Sequence, residues 1–543
     1  MFDVPVTNMT MELKECRGLW VWNERHDCYM MEDILYTPAA TTPKFQRLSI
    51  FVPSNLMNDD GTFTEEARKT PVLFENHSAG YMQMPHVWLD SPRCNARQYL
   101  DHGFVYVTVG CRGRESRDRN GRLIKGPCAL VDLKTAIRFL RHNREVLPGD
   151  WNRIISTGYS AGGAMSTLLA VTGDNDCYVS YLKENGAFME ESDAIYAAQI
   201  YCPIVDLEHA DLAYEWMFRF DRENEDSHAG PAEVMTPFKE ALSAVLAKRY
   251  VEYFNSLQLR HPETGEALTL NEDGRSGSAY DYLMERLNDS ATDFLTRLEA
   301  GKLAQKYSAA DYLSGNYMEK AVLPTVHNPG QSPEKPVVSL SLGDLVSRPP
   351  EGVPPFDLKP NLMDVPGSSK PWLIWDGEKA TVCGLDTYVL NHRRRMKPCT
   401  AFDKLDMDSA ENQTFGTPDQ DFVHYASDIA EAIAELKDVY PAEYAKYYEA
   451  YASVAADVML AECVRLLNPL SFIGTEEKSV RANHYRIRVG ARDADTSFSV
   501  SMTLALKLQN AGGNVDYALV WDQPHGEADY PGDVLAWIDS ICK

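Results

Sequence analysis

The chain has 543 residues, of which 44% are apolar, 10% aromatic and 24% charged. At about 150 residues per domain that length suggests three or four domains, and the apolar share excludes a mainly disordered chain. Lys and Arg number 53 against 79 Asp and Glu, a formal charge of −26. So negative a surface repels phosphate backbones and anionic lipid, which argues against nucleic acid or a membrane surface as the main partner.

The first residues, MFDVPVTNMTMELKE, are acidic where a secretory signal needs a basic region and then an apolar run. A cytoplasmic location is therefore the expectation. No stretch reaches about 18 consecutive apolar residues, the length of a membrane-spanning helix. The 11 cysteines are scattered without CxxC spacing, and the nearest histidines, His77 and His86, are nine apart. That pattern disfavours a disulfide framework, a structural zinc site and an HExxH helix alike. No cofactor is expected.

Between about residue 46 and residue 203, β-branched runs alternate with helical patterns, the rhythm of a sheet with crossover helices. The strand candidates are Leu48 to Val52, Pro71 to Glu75, Phe104 to Val109, Arg153 to Thr157 and Tyr196 to Tyr201. After the third, Leu130, Leu133, Ile137 and Leu140 recur at helical spacing and give one apolar stripe. From about 206 to 477 the pattern changes to long helical runs, Ala232 to Leu259, Tyr280 to Leu298 and His424 to Leu467, with a Pro-rich stretch over 324–371. The strand rhythm returns with Tyr485 to Val489, a helix near Ser499 to Gln509, Val515 to Trp521, and a last helix through Val534 to Ile541. The expected organisation is an α/β core over 1–205 and 478–543, with a mostly parallel sheet, interrupted by a mainly helical lid over 206–477.

The fourth strand runs into Gly158-Tyr159-Ser160-Ala161-Gly162-Gly163 and then directly into a helical stretch. G-x-S-x-G between strand and helix is a nucleophile elbow, in which small neighbours let Ser160 take a strained conformation. Its hydroxyl is then held above the sheet, with the Ala161 amide and the helix N-terminus beside it to receive an oxyanion. A second oxyanion donor is expected from the loop Asn76-His77-Ser78-Ala79-Gly80-Tyr81-Met82, with Gly80 or Ala79 as the candidates. An acid and a histidine follow in the required order. Asp493 and Asp495 lie after the Tyr485–Val489 run, and His525 lies after the last strand. His525 suits the general base; periodicity does not choose between the two aspartates.

With these residues in view the chain resembles the bacterial tannases, serine esterases of the α/β-hydrolase fold that release gallic acid from tannins. The resemblance rests on STGYSAGGA, CPIVDLEHADLAYEWMF, MKPCTAFD, SAENQTFG, RVGARDADTSF and WDQPHG. It implies that Asp493 is the triad acid, 32 residues before His525, and that Asp495 binds the galloyl group together with Lys397 and Glu411. The chemistry of three adjacent phenolic hydroxyls fits two acceptors and one donor. Three departures stand out: His77-Ser78-Ala79-Gly80 replaces an expected Gly pair, the insertion is long, and Tyr159 and Gly526 stand where fungal relatives carry cysteines. The expected substrate is a small aromatic ester. A feruloyl or general carboxylesterase is the alternative; a serine peptidase with a lid is a further enzymatic reading, and a binding module of this fold would typically lack a triad member, whereas this chain has all three in order.

Overall fold

The computed structural model describes residues 13, 20–91, 94–221, 235–304, 307–314, 372–393, 395–475 and 478–542. Among the described residues there are eleven strands: β1 (Val21–Asn23), β2 (Cys28–Leu35), β3 (Arg47–Pro53), β4 (Val72–Asn76), β5 (Val105–Val109), β6 (Ile154–Tyr159), β7 (Ala197–Tyr201), β8 (Leu373–Trp375), β9 (Ala380–Val382), β10 (His484–Gly490) and β11 (Asn514–Val520). Nine form one sheet in the order β1-β2-β3-β5-β4-β6-β7-β10-β11. From β5 to β11 every neighbouring pair in that sheet is parallel. β4, β5 and β7 are buried along their whole length, as strands covered by helices on both faces must be. This is the α/β-hydrolase core expected from the sequence.

The first edge of the sheet is antiparallel, β1 on β2, β2 on β3 and β3 on β5. β1 and β2 were not among the expected strands. β2 reads Cys-Tyr-Met-Met-Glu-Asp-Ile-Leu and carries a register shift between Met31 and Ile34, with Asp33 at φ 64°. The bulge breaks the period-2 alternation that would have marked a strand.

The crossover helix Cys128–His142 buries Leu130, Leu133, Ile137 and Leu140 as its spacing requires. It also buries Lys134 and Arg138, both paired at 2.7 Å with the fully buried Asp193. A cation inside this layer is tolerable only with such a partner.

The segment between β7 and β10 is mostly helical among the described residues, with β8 and β9 as a small hairpin of its own. The expected run from Ala232 becomes Pro237–Ser256, opened by the Thr236 side chain and Pro237 in the first turn. The expected run His424–Leu467 is three helices, Ser427–Glu435, Pro441–Ala452 and Val458–Leu467. Pro441 has no N–H and begins a helix instead of continuing one, and the Asp457 side chain caps the third. The Pro-rich stretch 324–371 lies outside the described residues. Among those residues, no helix is long and apolar enough to cross a membrane.

The chain leaving β7 is fastened to this helical segment. Asp206 accepts from Tyr253 Oη at 2.5 Å and Asn468 Nδ2 at 3.0 Å, while His209 Nδ1 lies 2.6 Å from Asp428. Burial alone would depress the His209 pKa. The Asp206 charge, the Asp428 hydrogen bond and Glu208 outweigh it and lift the value to about 9. A raised folded-state pKa gives stability that is complete below the unfolded value near 6.5 and lost as pH rises through 9. Denaturation midpoints of the wild type should therefore fall between those limits, and His209→Gln should flatten that slope; an unchanged slope in the variant would remove His209 as its source.

Candidate active site

Ser160, the residue after β6, has φ 58° and ψ −127°, and the helix Ala161–Val171 begins at the next residue. Its amide donates to the Tyr201 carbonyl at 3.2 Å, and its carbonyl accepts from Ala164 and Ile204. Three glycines make this turn possible. A Cβ at 158 would lie 2.6 Å from the Gly162 carbonyl oxygen, one at 163 would lie 2.4 Å from the Tyr201 oxygen, and one at 162 would press on Asn76 at 3.0 Å. The sequence reading had picked out Gly158 and Gly162; Gly163 is as tightly placed, because β7 passes beside it. The Ala161 amide, at the first helical position, has no carbonyl of its own helix to bond.

The loop after β4 forms a short turn over Ala79–Tyr81, with Gly80 at φ 56°. The Ala79 amide is taken by the His77 carbonyl at 2.6 Å, so of the two candidates Gly80 is the better placed to donate. Arg114 Nε donates to the Gly80 carbonyl at 2.9 Å and Tyr81 Oη to the Ile204 carbonyl at 2.7 Å, which fixes the loop against the elbow.

On the other side, the loops after β10 and β11 meet. A Cβ at Gly490 would stand 2.3 Å from the carbonyl oxygens of Gln523 and Pro524, so the two loops can touch only because 490 is glycine. Asp493, wholly buried, accepts the Asp495 amide at 2.9 Å through Oδ1 and faces His525 Nδ1 at 2.9 Å through Oδ2. Asp495 Oδ2 is 3.7 Å from the same nitrogen. Of the two aspartates, Asp493 makes the hydrogen bond. Burial works against a charged His525, yet the Asp493 charge, with Cys202 and Asp495 behind it, holds its pKa well above the usual histidine value.

Cys202, which follows β7 at φ 33°, stands between these halves. Its thiol meets the Ser160 amide and the His525 ring and lies 3.3 Å from the Gly526 carbonyl. Sequence reasoning passed over it, although its place directly after a strand at the carboxyl edge was a usable signal.

Lys397 and Glu411 reach the same region through buried polar groups. The Tyr214 hydroxyl accepts the amides of Met396 and Lys397, at 3.1 and 2.8 Å, and donates to the Ala494 carbonyl at 3.1 Å. One phenol thereby ties the Lys397 backbone to the residue between Asp493 and Asp495. The Lys397 ammonium sits 3.9 Å from the centre of the Phe402 ring. Asp211 accepts the amides of Ala401, Phe402 and Asp403; Asp403 in turn binds Asn412 Nδ2 at 2.7 Å, next to Glu411. Glu411 is close enough to Tyr81 and Arg114 to act on their charges, which puts it beside the Gly80 loop. Tyr214, Asp211 and Asp403 were not singled out from the sequence, since their roles depend on partners up to 280 residues away. Asp221 is buried and accepts the Arg395 amide at 2.7 Å.

The sheet order and the elbow at its carboxyl edge define an α/β-hydrolase. A family profile described as BD-FAE matches residues 64–217. The chain is 30% identical to the tannin acyl hydrolase from Lactobacillus plantarum, over 95% of this chain and 94% of that one, with a TM-score of 0.72. It is similar, at 30% identity, a TM-score of 0.71 and the same coverage, to a tannin acyl hydrolase solved in complex with ethyl gallate. Gut esterase 1 of Caenorhabditis elegans is 31% identical over 112 residues, 20% of this chain and 19% of that relative, so the match spans about a fifth of it. The chain belongs to the bacterial tannases and is a carboxylic ester hydrolase.

The contact at Gly490 gives a direct test. Gly490→Ala should force the acid and histidine loops apart, destabilise the chain by about 1–3 kcal/mol as overpacking does, and reduce ester turnover. Thermal melts and turnover at saturating ester check this; wild-type values for both would show that the loops have room to spare.

Proposed function

We propose that the chain hydrolyses galloyl esters, and the depside bonds of tannins, through an acyl-enzyme on Ser160. Core segments 1–205 and 478–543 carry the chemistry, and 206–477 serves as the lid over the cleft. His525 Nε2 takes the Ser160 proton as Oγ attacks the ester carbonyl. Asp493 holds the imidazole in the required tautomer and stabilises the imidazolium. The oxyanion is received by the amides of Ala161 and Gly80. Collapse expels the alcohol, which takes the proton from His525. Water, deprotonated by His525, then attacks the acyl carbon; the bond to Ser160 Oγ breaks, Ser160 takes the proton back from His525, and the acid is released.

The observation that carries the galloyl reading is the Tyr214 hydroxyl, shared between the Lys397 amide and the Ala494 carbonyl. It supports a donor, Lys397, and an acceptor, Asp495, on one wall, with Glu411 as a second acceptor by the Gly80 loop. A wall of buried groups that bind hydroxyls discriminates strongly against esters lacking them, because its own polar atoms are left unpaired. A complex with ethyl gallate is known for a related tannin acyl hydrolase, which is consistent with that chemistry. The second reading is a broader carboxylesterase or feruloyl esterase. It is favoured by the BD-FAE match, whose residues 64–217 include Ser160 but none of Lys397, Glu411 and Asp495.

Ser160→Ala should abolish hydrolysis of methyl gallate, and Asp493→Asn should lower kcat by about 10⁴-fold. Lys397→Ala and Glu411→Ala should each narrow the preference for methyl gallate over methyl 4-hydroxybenzoate and methyl ferulate. A substrate ranking unchanged in both variants would favour the second reading.

The raised His525 pKa sets the acid side of the pH profile. The base is protonated and idle at low pH, so kcat/KM should rise with pH through a midpoint above 6.5. Asp495→Asn removes one of the charges that raise it and should move that midpoint down. A midpoint below 6.5 in the wild type would contradict the electrostatics described for the cleft.

A further inference from the structure

Cys202 takes no part in the ester chemistry described above, yet it lies against the residues that perform it. Its Sγ, a carboxylate oxygen of Asp493 and a ring nitrogen of His525 all lie within 4.8 Å of one another, and no other such group of His, Cys and acidic donors occurs among the described residues. Asp495 Oδ2, at 3.7 Å from His525 Nδ1, adds a fourth donor. A tetrahedral zinc ion with bonds of about 2.0–2.3 Å holds its donors about 3.5 Å apart. A contraction of about 1 Å would therefore close three donors on one ion, and the side chains of Asp493 and His525 already meet. Thiolate with imidazole and carboxylate is the donor set of zinc and similar thiophilic cations; magnesium and calcium prefer oxygen alone.

We propose that Cys202, Asp493 and His525 form an inhibitory site for a thiophilic divalent cation, with Asp495 within reach as fourth ligand. The proposal rests on the reading of His525 as the base, since the ion would occupy the imidazole and the carboxylate that orients it. On binding, the Cys202 thiol gives its proton to the buffer, His525 gives up its second ring proton to the extent that it is cationic, and sulfur–metal and nitrogen–metal bonds form. The hydrogen bond from Cys202 to the Gly526 carbonyl is given up, and no oxidation state changes.

Zinc chloride is the probe, applied to the full chain. Hydrolysis of a simple p-nitrophenyl ester is followed against zinc concentration, and zinc binding is measured separately by calorimetry in two buffers of different protonation enthalpy. Inhibition at micromolar zinc is expected, reversed by EDTA, with one site and between about one and two protons released per ion bound, one from Cys202 and the remainder from cationic His525. Cys202→Ala and Cys202→Ser should each raise the half-inhibiting concentration at least about tenfold, read against the variant's own uninhibited rate, and should lower the proton release by about one per ion. Zinc affinity and inhibition unchanged in both variants would overturn the proposal, as would zinc that binds through Cys202 without slowing hydrolysis. Calorimetric binding lost in both variants would support the site even if ester turnover were absent, so failure of the esterase reading and failure of the metal site are told apart.

Discussion

Everything at the carboxyl edge of the sheet depends on how closely backbone can approach backbone there. Ser160 keeps a φ of 58° only because residues 158, 162 and 163 carry no side chain, and the acid and histidine loops touch only because residue 490 carries none. Strain of this kind persists when surrounding contacts over-determine it. Here they do: the Ser160 amide is held by Tyr201, its carbonyl by Ala164 and Ile204, and Ile204 in turn by Tyr81. The elbow, the Gly80 loop and the strand β7 are one mechanical unit.

The helical segment shares one apolar core with the sheet and is itself fixed internally by buried carboxylates. Asp211 collects three consecutive amides from 401–403, and Asp403 collects Asn412, His424 and the amides of Tyr425 and Ala426. Such buried carboxylates are costly unless fully satisfied, and once satisfied they specify one geometry sharply. That suits the proposed galloyl wall, which would need Lys397 and Glu411 in fixed relation to Asp495. A wall built from aliphatic side chains would give comparable stability but less directional control, because dispersion contacts do not fix hydrogen-bonding angles.

What the sequence revealed divides along the same physical line. The elbow is local: five residues between a strand and a helix carry their own steric reason, and Ser160 and Ala161 could be named from them. The order of acid and histidine after successive strands brought Asp493 and His525 into view, though the choice of Asp493 over Asp495 needed the resemblance to a family. Tyr214 and Cys202 were silent because a phenol in a helix and a thiol after a strand acquire meaning only from partners hundreds of residues away, Ala494 at 280 and Gly526 at 324. The missed strand β2 shows the opposite failure. Its signal was local but corrupted, since a bulge at Met31–Ile34 shifts the inward face halfway along. The three-residue strands β8 and β9 are too short to display any period.

The net charge of −26 also acquires a local sense. At physiological ionic strength charges are screened over about 8 Å, so the bulk of that charge is not felt by a molecule inside the cleft. What is felt around His525 is Asp493 and Asp495, with Arg393 acting on Asp493 and His525 cationic or neutral according to pH. An ester enters such a site uncharged and meets no repulsion. The carboxylic acid released by hydrolysis ionises at neutral pH and meets the carboxylates of Asp493 and Asp495 beside His525. On the proposed mechanism, the carboxylates that raise the basicity of His525 also repel the product anion, so one arrangement of charge bears on both the proton transfer and the departure of the acid.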